Sequence, residues 1–120
     1  MKGENMLTIQ GLKDLGVNTA EGVARCINNE SFYIRMVSKG IESFGKFDDL
    51  KAAVDKGDLD SAFAVAHDLK GLTGNLSLTQ LYEPVSEITE LLRAHTEMDY
   101  TPLMNVIMER RDAMVALSKS

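Results

Sequence analysis

The amino-acid sequence predicts an all-α protein, built as an antiparallel up-down four-helix bundle with a short additional N-terminal helix. Apolar residues recur at three- and four-residue intervals in nearly every segment, and no strand-like alternation, repeat or low-complexity tract interrupts them. Each helical segment has one apolar stripe to bury, and short connections favour antiparallel neighbours. A chain of 120 residues suffices for one core, so we expect a single domain over residues 1–120.

Two short helical segments are predicted near the N-terminus. Residues 6–15 form an amphipathic start, and Gly16 interrupts it. Asn18 is placed to cap the second segment, with Glu21 at the spacing of a capping box. We expect Asn28-Asn29 to end that segment.

A longer helical stretch precedes the central helix. It opens at Ser31, either continues through Gly45 or bends there, and ends at Lys56-Gly57. Asp58 then caps the central helix, which we expect to end near Ser77.

Two further helices complete the predicted bundle. The first contains Pro84, which lies either in the first turn or at a kink, because proline has no backbone N–H to donate. Thr101-Pro102 is predicted to be a helix cap followed by a first-turn proline. The apolar faces comprise Leu81, Val85, Ile88, Leu91 and Leu92 in the first helix, and Leu103, Val106, Ile107, Met114 and Leu117 in the second.

The central helix leaves one histidine beside a surface that lacks side chains. Gly71 and Gly74 follow His67 by four and seven residues, so on a helix they lie within about 40° of it. A glycine inside a helix costs about 0.5 to 1 kcal/mol relative to alanine. The presence of two glycines on this face indicates that another molecule, or another helix, approaches closely.

Lys70 is predicted to lie one turn from His67. A neutral imidazole is a good nucleophile, and a nearby ammonium group can hold the oxyanions of a phosphoryl group once it is attached. The pattern therefore fits a phosphorylatable histidine. Taken alone, these residues fit a plain surface histidine before a glycine-containing helix end about as well.

The motif Ala66-His67-x-Leu69-Lys70-Gly71 resembles that of the histidine-containing phosphotransfer (HPt) domains of two-component phosphorelays, and Asn75-Leu76 fits the segment that follows. The resemblance extends roughly from Leu12 to Leu92. It implies a helical bundle with His67 exposed on its outer face and phosphorylated at Nε2. Lys70 would then stabilise the phosphoryl group.

The resemblance also implies a docking surface, and it shows departures from the family pattern. The family usually has a second glycine ten residues after its histidine, where this chain has Ser77. Tyr82 and Pro84 replace residues that are usually small or aliphatic. The residues expected to line the docking surface are Gly71, Gly74, Asn75 and Ser77.

By this resemblance, the chain relays a phosphoryl group between receiver-domain aspartates. Mg²⁺ and the acceptor aspartate would be supplied by the receiver, and no cofactor would be bound by the chain itself. Receiver domains are the expected partners, and a hybrid sensor histidine kinase is a further one. Because the sequence has no P-loop or nucleotide-binding fingerprint, we expect a phosphocarrier rather than an autonomous kinase.

Two alternatives remain open at this stage. The first is an interaction module that binds receiver or kinase domains without carrying phosphate, for which Ser77 is the best support. The second is a plain helical-bundle dimerisation protein, which would have an exposed apolar stripe.

The composition argues against several other kinds of protein and site. A net charge of −5 without a basic stripe argues against nucleic-acid binding, and no apolar run approaches the roughly 18 residues of a membrane-spanning helix. The single Cys26 permits no internal disulfide, which is compatible with a reducing cytoplasm. His67 and His95 lack a cluster of further ligands, so we expect no metal site. We therefore expect a cytoplasmic monomer.

Overall fold

The all-α fold is confirmed by the computed structural model, which describes residues 7–119 and has no strand in that range. Met6, the first residue of the predicted N-terminal segment, lies outside the described residues. The helices of the described chain are α1 (Ile9–Asp14), α2 (Thr19–Arg25), α3 (Glu30–Ile41), α4 (Gly45–Lys56), α5 (Leu59–Asn75), α6 (Thr79–Arg93) and α7 (Thr101–Lys119).

The last four helices form the predicted four-helix bundle. Helix α5 packs against α4 and α6, and α7 closes the bundle by packing against both α6 and α4. The turns at residues 57–58 and 76–78 are short, so successive helices run antiparallel. Three helices, α1, α2 and α3, precede the bundle, where the fold prediction had one short additional helix.

One continuous hydrophobic core joins the N-terminal helices to the bundle. The predicted final apolar stripe departs from the structure at one residue, Val106, which is 38% exposed, whereas Met104 is buried. Ile107 and Met114 are buried as predicted, and Leu103 and Leu117 pack partly buried against the core. Val106 lies about 100° around α7 from Ile107, which turns it away from the core. The large side chains buried completely in the bundle include Phe47, Leu50, Leu69, Leu81, Ile88, Leu92, Ile107 and Met114.

The breaks around α3 differ from those predicted. The side chain of Asn29 accepts a hydrogen bond from the Phe32 backbone N–H, so Asn29 caps α3 instead of ending α2. Helix α2 already ends at Arg25. The following stretch is neither continuous nor merely bent at Gly45, since α3 ends at Ile41 and Gly45 is the first residue of a separate helix.

Asn18 caps α2 as predicted, but the capping box does not form. The Asn18 side chain accepts from the Glu21 backbone N–H at 3.2 Å. The Asn18 backbone N–H donates to the Ser77 carbonyl, while the Glu21 carboxylate accepts from the Ser77 hydroxyl at 2.7 Å. Glu21 is therefore used for a contact with the turn after α5, which no local pattern indicates.

Two more side chains from the N-terminal helices bind the carboxyl end of α5. Arg25 Nη1 donates to the Gly74 carbonyl at 3.0 Å, and the buried Tyr33 hydroxyl donates to the Leu76 carbonyl at 2.7 Å. The last carbonyls of a helix lack the usual helical partners. Tyr33 gives the Leu76 carbonyl a donor, and Arg25 adds a second donor to the Gly74 carbonyl, which also accepts from the Ser77 N–H at 3.1 Å. Helices α2 and α3 thereby support the end of the helix that contains His67.

Pro84 lies inside α6, at the sixth residue of the helix and not in its first turn. A residue with a backbone N–H at this position would donate to the Gln80 carbonyl, and proline cannot. Arg110 of α7 replaces that donor, with Nη1 at 2.7 Å from the Gln80 oxygen. Helix α6 therefore continues through the proline.

The start of α7 also differs from its prediction in one respect. Pro102 lies in the first turn, as predicted, but Thr101 is itself the first helical residue. The Asp99 carboxylate accepts from the Thr101 backbone N–H at 3.0 Å and so occupies the capping role predicted for Thr101.

Candidate functional site

His67 is exposed at the middle of α5. Its neighbours Ala66 and Leu69 are fully buried and fix the face of the helix that meets the core. The Asp58 side chain caps the helix as predicted, accepting from the Ser61 backbone N–H at 3.1 Å. Hydrogen bonds from the Ser61 side chain and backbone lower the pKa of Asp58, so the cap is ionised at neutral pH.

Phe63 flanks the imidazole on the N-terminal side. The rings of Phe63 and His67 are parallel within 3°, and their centroids are 5.8 Å apart. The guanidinium carbon of Arg93 lies 4.9 Å from the centroid of the Phe63 ring, in a cation–π arrangement. Phe63 lies one turn before His67, and this spacing is the sequence signal that could have indicated the contact.

Lys70 is held by an acidic partner on α6. Its Nζ atom lies 3.3 Å from Glu90 Oε2, and its side chain is only 29% exposed. Arg93 binds the same carboxylate through Nε at 3.1 Å and Nη2 at 3.4 Å. Hydrogen bonds from Arg93 and then from Lys70 lower the pKa of Glu90. Lys70 is thus paired with Glu90 in this state.

A second ion pair lies on the α4 side of the histidine helix. Lys46 Nζ is 3.2 Å from Asp68 Oδ2, and both side chains are about half exposed. Exposed pairs of this kind contribute roughly 0 to 1 kcal/mol to stability. The pair matters here for its position, because Asp68 follows His67 in the chain and holds the Lys46 ammonium group beside it.

The two glycines after His67 have different surroundings. A Cβ atom added at Gly71 would meet nothing within 4 Å, so this part of the helix surface is open. A Cβ added at Gly74 would lie 3.1 and 3.3 Å from atoms of the Tyr82 ring. The expectation of an open surface therefore holds at Gly71, while at Gly74 the space is occupied by Tyr82 of α6.

Asn75 and Ser77, both expected on the docking surface, differ in their exposure. Asn75 is exposed and lines a shallow groove between α3 and α5, together with Met36 and Leu72. Ser77 is only 3% exposed, and its hydroxyl donates to Glu21. Its φ of 57° turns the chain sharply after α5 and directs the side chain toward α2. Placing Ser77 on the docking surface is therefore wrong.

The other histidine has a different setting. His95 follows α6, and its Nε2 lies 3.5 Å from Asp60 Oδ1, with both side chains largely exposed. Within residues 7–119, no group of three or more His, Cys, Asp or Glu residues could hold a metal ion. No helix in the same range combines the length and the apolar character needed to cross a bilayer.

The arrangement around His67 suits a reaction at an interface with another molecule. The imidazole is accessible, the surface beyond it is open at Gly71, and both flanking helices have a cationic group nearby, Lys46 on α4 and Arg93 on α6. Transfer of a phosphoryl group requires the attacking and leaving atoms to be roughly in line, which an exposed nucleophile beside an open surface permits.

Comparison with known proteins identifies the family. A family model of the Hpt domain matches residues 42–119, which include all four bundle helices and His67. Comparisons with curated proteins and with solved structures find no match to the chain. Since the matched segment is well over half of the 120 residues, the chain belongs to the Hpt domain family.

Proposed function

We propose that this Hpt domain is a phosphocarrier that relays a phosphoryl group between receiver-domain aspartates through His67. The exposure of His67 beside the open surface at Gly71 is the observation that best supports this role. In the forward step, imidazole Nε2 attacks the phosphorus of an aspartyl phosphate. A P–N bond forms, the P–O bond to the aspartate breaks, and the aspartate leaves as a carboxylate. A second receiver aspartate then reverses these events.

Lys70 is proposed to stabilise the phosphoryl group on His67. It lies one helical turn from the imidazole, and its pairing with Glu90 is partly exposed, so the ammonium can exchange partners. A dianionic phosphoryl group competes well for an ammonium that a single carboxylate holds. Mg²⁺ is proposed to reside on the receiver, where it offsets charge on the transferring group.

The proposed partners are receiver domains, with a hybrid sensor histidine kinase as a further source of phosphate. We also propose that the protein acts as a monomer in the cytoplasm. The large apolar side chains that are exposed lie on different elements, with Ile27 after α2, Met36 on α3, Tyr82 on α6, Met98 before α7 and Val106 on α7. This distribution gives less support to dimerisation than one continuous exposed stripe would.

The non-carrier alternative loses its original support. Ser77 favoured an interaction module only if its side chain narrowed the docking surface, and the side chain is instead buried against Glu21. Binding of receivers without any transfer would be the result that restores this alternative.

The test is phosphotransfer from purified, phosphorylated receiver domains in the presence of Mg²⁺. Phosphohistidine is recognised as acid-labile, alkali-stable phosphate on the chain. We expect label on the wild-type protein and on His95→Gln, which removes the other exposed histidine, but none on His67→Gln. We expect Lys70→Ala to lower the transfer rate or the phosphohistidine lifetime while unfolding remains unchanged. Label on His67→Gln, or receiver binding without transfer to wild type, would contradict the proposal.

A further inference from the structure

One arginine of α6 organises both neighbours of His67. Arg93 places its guanidinium over the ring of Phe63, which is stacked parallel to the imidazole. The same guanidinium binds both oxygens of Glu90, and Glu90 in turn holds Lys70. Arg93 therefore connects Phe63, one turn before His67, with Lys70, one turn after it, the latter through Glu90.

We propose that Arg93 is a positioning residue for phosphotransfer, which keeps Glu90 occupied so that Lys70 can leave it for the phosphoryl group. This inference rests on the proposed carrier role of His67. Arg93 does not itself contact the reacting atoms in this arrangement. It acts through Glu90 on Lys70, and through Phe63 on the orientation of the imidazole.

The charges around Glu90 explain why a second cation matters. Glu90 accepts one hydrogen bond from Lys70 and two from Arg93. When Lys70 turns to a phosphoryl group, the two-pronged contact with Arg93 still neutralises the carboxylate. Without Arg93, Glu90 would retain Lys70 as its only cationic partner and would compete directly with the phosphoryl group.

An ordinary surface ion pair is the competing explanation. Arg93 and Glu90 are three residues apart on one helix, a spacing at which such pairs are common. Two contacts distinguish this one: the carboxylate is shared with Lys70 of α5, and the guanidinium also covers Phe63 of α5. Both connect the pair to the helix that contains His67.

The test compares Arg93→Gln, Glu90→Gln and the double variant, using phosphoramidate as the phosphoryl donor. Nε2 of His67 attacks its phosphorus, the donor's P–N bond breaks and ammonia leaves, so no receiver is needed. We expect Arg93→Gln to slow phosphorylation or shorten phosphohistidine lifetime by about two- to fivefold, the size of an exposed charge interaction. In the Glu90→Gln background, the same change at Arg93 should have a smaller effect on that rate or lifetime, because Lys70 no longer has a competing carboxylate and only the contact through Phe63 remains.

Arg35→Gln is the matched control. Arg35 also lies over an aromatic ring, that of Phe32 on α3, at 5.7 Å. Its removal should leave phosphorylation unchanged. Urea unfolding of every variant serves as the folding control, and we expect Arg93→Gln to remain folded because the Arg93 side chain is about half exposed.

A second measurement separates failure of this inference from failure of the carrier role. The NMR shifts of the imidazole protons report the stacking of Phe63 on His67 in the unphosphorylated protein. We expect Arg93→Gln to change them and Arg35→Gln to leave them unchanged. Wild-type kinetics in Arg93→Gln, or an equal defect with and without Glu90, would overturn the inference. Absence of phosphate on wild type would instead refute the carrier role.

Discussion

Replacement of Gly71 by alanine should make the protein more stable and slower in transfer. Gly71 lies inside α5, and an added Cβ meets no atom within 4 Å. Alanine therefore gains the difference in helix propensity, about 0.5 to 1 kcal/mol, without a clash. For a domain of this size, that gain corresponds to a rise of about 2 to 4 °C in Tm. Urea and thermal unfolding measure both quantities.

The effect on transfer should grow with the size of the side chain. The new group lies one turn from His67, on the surface that a receiver must approach. We expect Gly71→Leu to leave the bundle folded and to reduce transfer from a receiver more strongly than Gly71→Ala. The rate of phosphorylation by phosphoramidate, which is small, should change little in either variant. A defect seen only with the receiver would therefore be a defect in docking and not in the reaction at His67.

Gly74→Ala is the internal comparison for this prediction. Its Cβ would lie 3.1 Å from the Tyr82 ring, so the gain in helix propensity is offset by displacement of that ring. We expect Gly74→Ala to raise the free energy of unfolding by less than Gly71→Ala does, or to lower it. A lower free energy of unfolding in Gly71→Ala would refute the open surface at this position. Wild-type transfer from receivers in Gly71→Leu would refute its role in docking.

Three further predictions concern stability. Tyr33→Phe should lower the free energy of unfolding by about 1 to 3 kcal/mol, because the Leu76 carbonyl loses its buried donor. Burial raises the pKa of Tyr33 from 10.0 to about 12, so the wild type should lose stability as the pH rises through this window. Tyr33→Phe should lose less, because burial also raises the pKa of Tyr100, which this variant keeps. Equal alkaline profiles of the two proteins would contradict the burial effect. Arg110→Gln should cost about 0.5 to 1 kcal/mol in urea unfolding, since the exposed Gln80 carbonyl can recruit water, and a much larger loss would contradict that explanation. Asp58→Ala should destabilise the protein at neutral pH. The pKa of Asp58 is lowered in the folded state, so the difference in stability between wild type and Asp58→Ala should persist above pH 3.8. It should diminish as the pH falls through the pKa of Asp58 in the folded protein, which urea unfolding at several pH values measures.

The bundle and the histidine helix were predictable because their signals are local. The Asp58 cap, the apolar spacing of α5 and the motif around His67 all lie within about five turns of one helix. The break near residues 26–29 was not predictable in the same way. Ile27 and Asn28 both adopt positive φ, and a β-branched isoleucine is an unusual residue for that conformation.

The missed parts of the site depend on contacts between distant residues. Lys70 and Glu90 are 20 residues apart, and the proximity of Gly74 to Tyr82 depends on how α5 and α6 pack. The sequence gives the charge of each partner but not the register between two helices. For the same reason, Glu21 was assigned to a capping box within α2, when its partner was Ser77, 56 residues further along the chain.

The Ser77 turn has a consequence for the exchange of segments between related proteins. A residue other than glycine in the left-handed conformation costs roughly 1 to 2 kcal/mol, and Ser77 adopts it at φ 57°. Asn18 and Glu21, which bind this serine, precede the matched residues 42–119. The conformation of Ser77 therefore depends on residues outside the matched segment. A chimera that joins the matched residues to a foreign N-terminus should therefore be more stable if Ser77 is replaced by glycine or if α2 and α3 of this chain are kept.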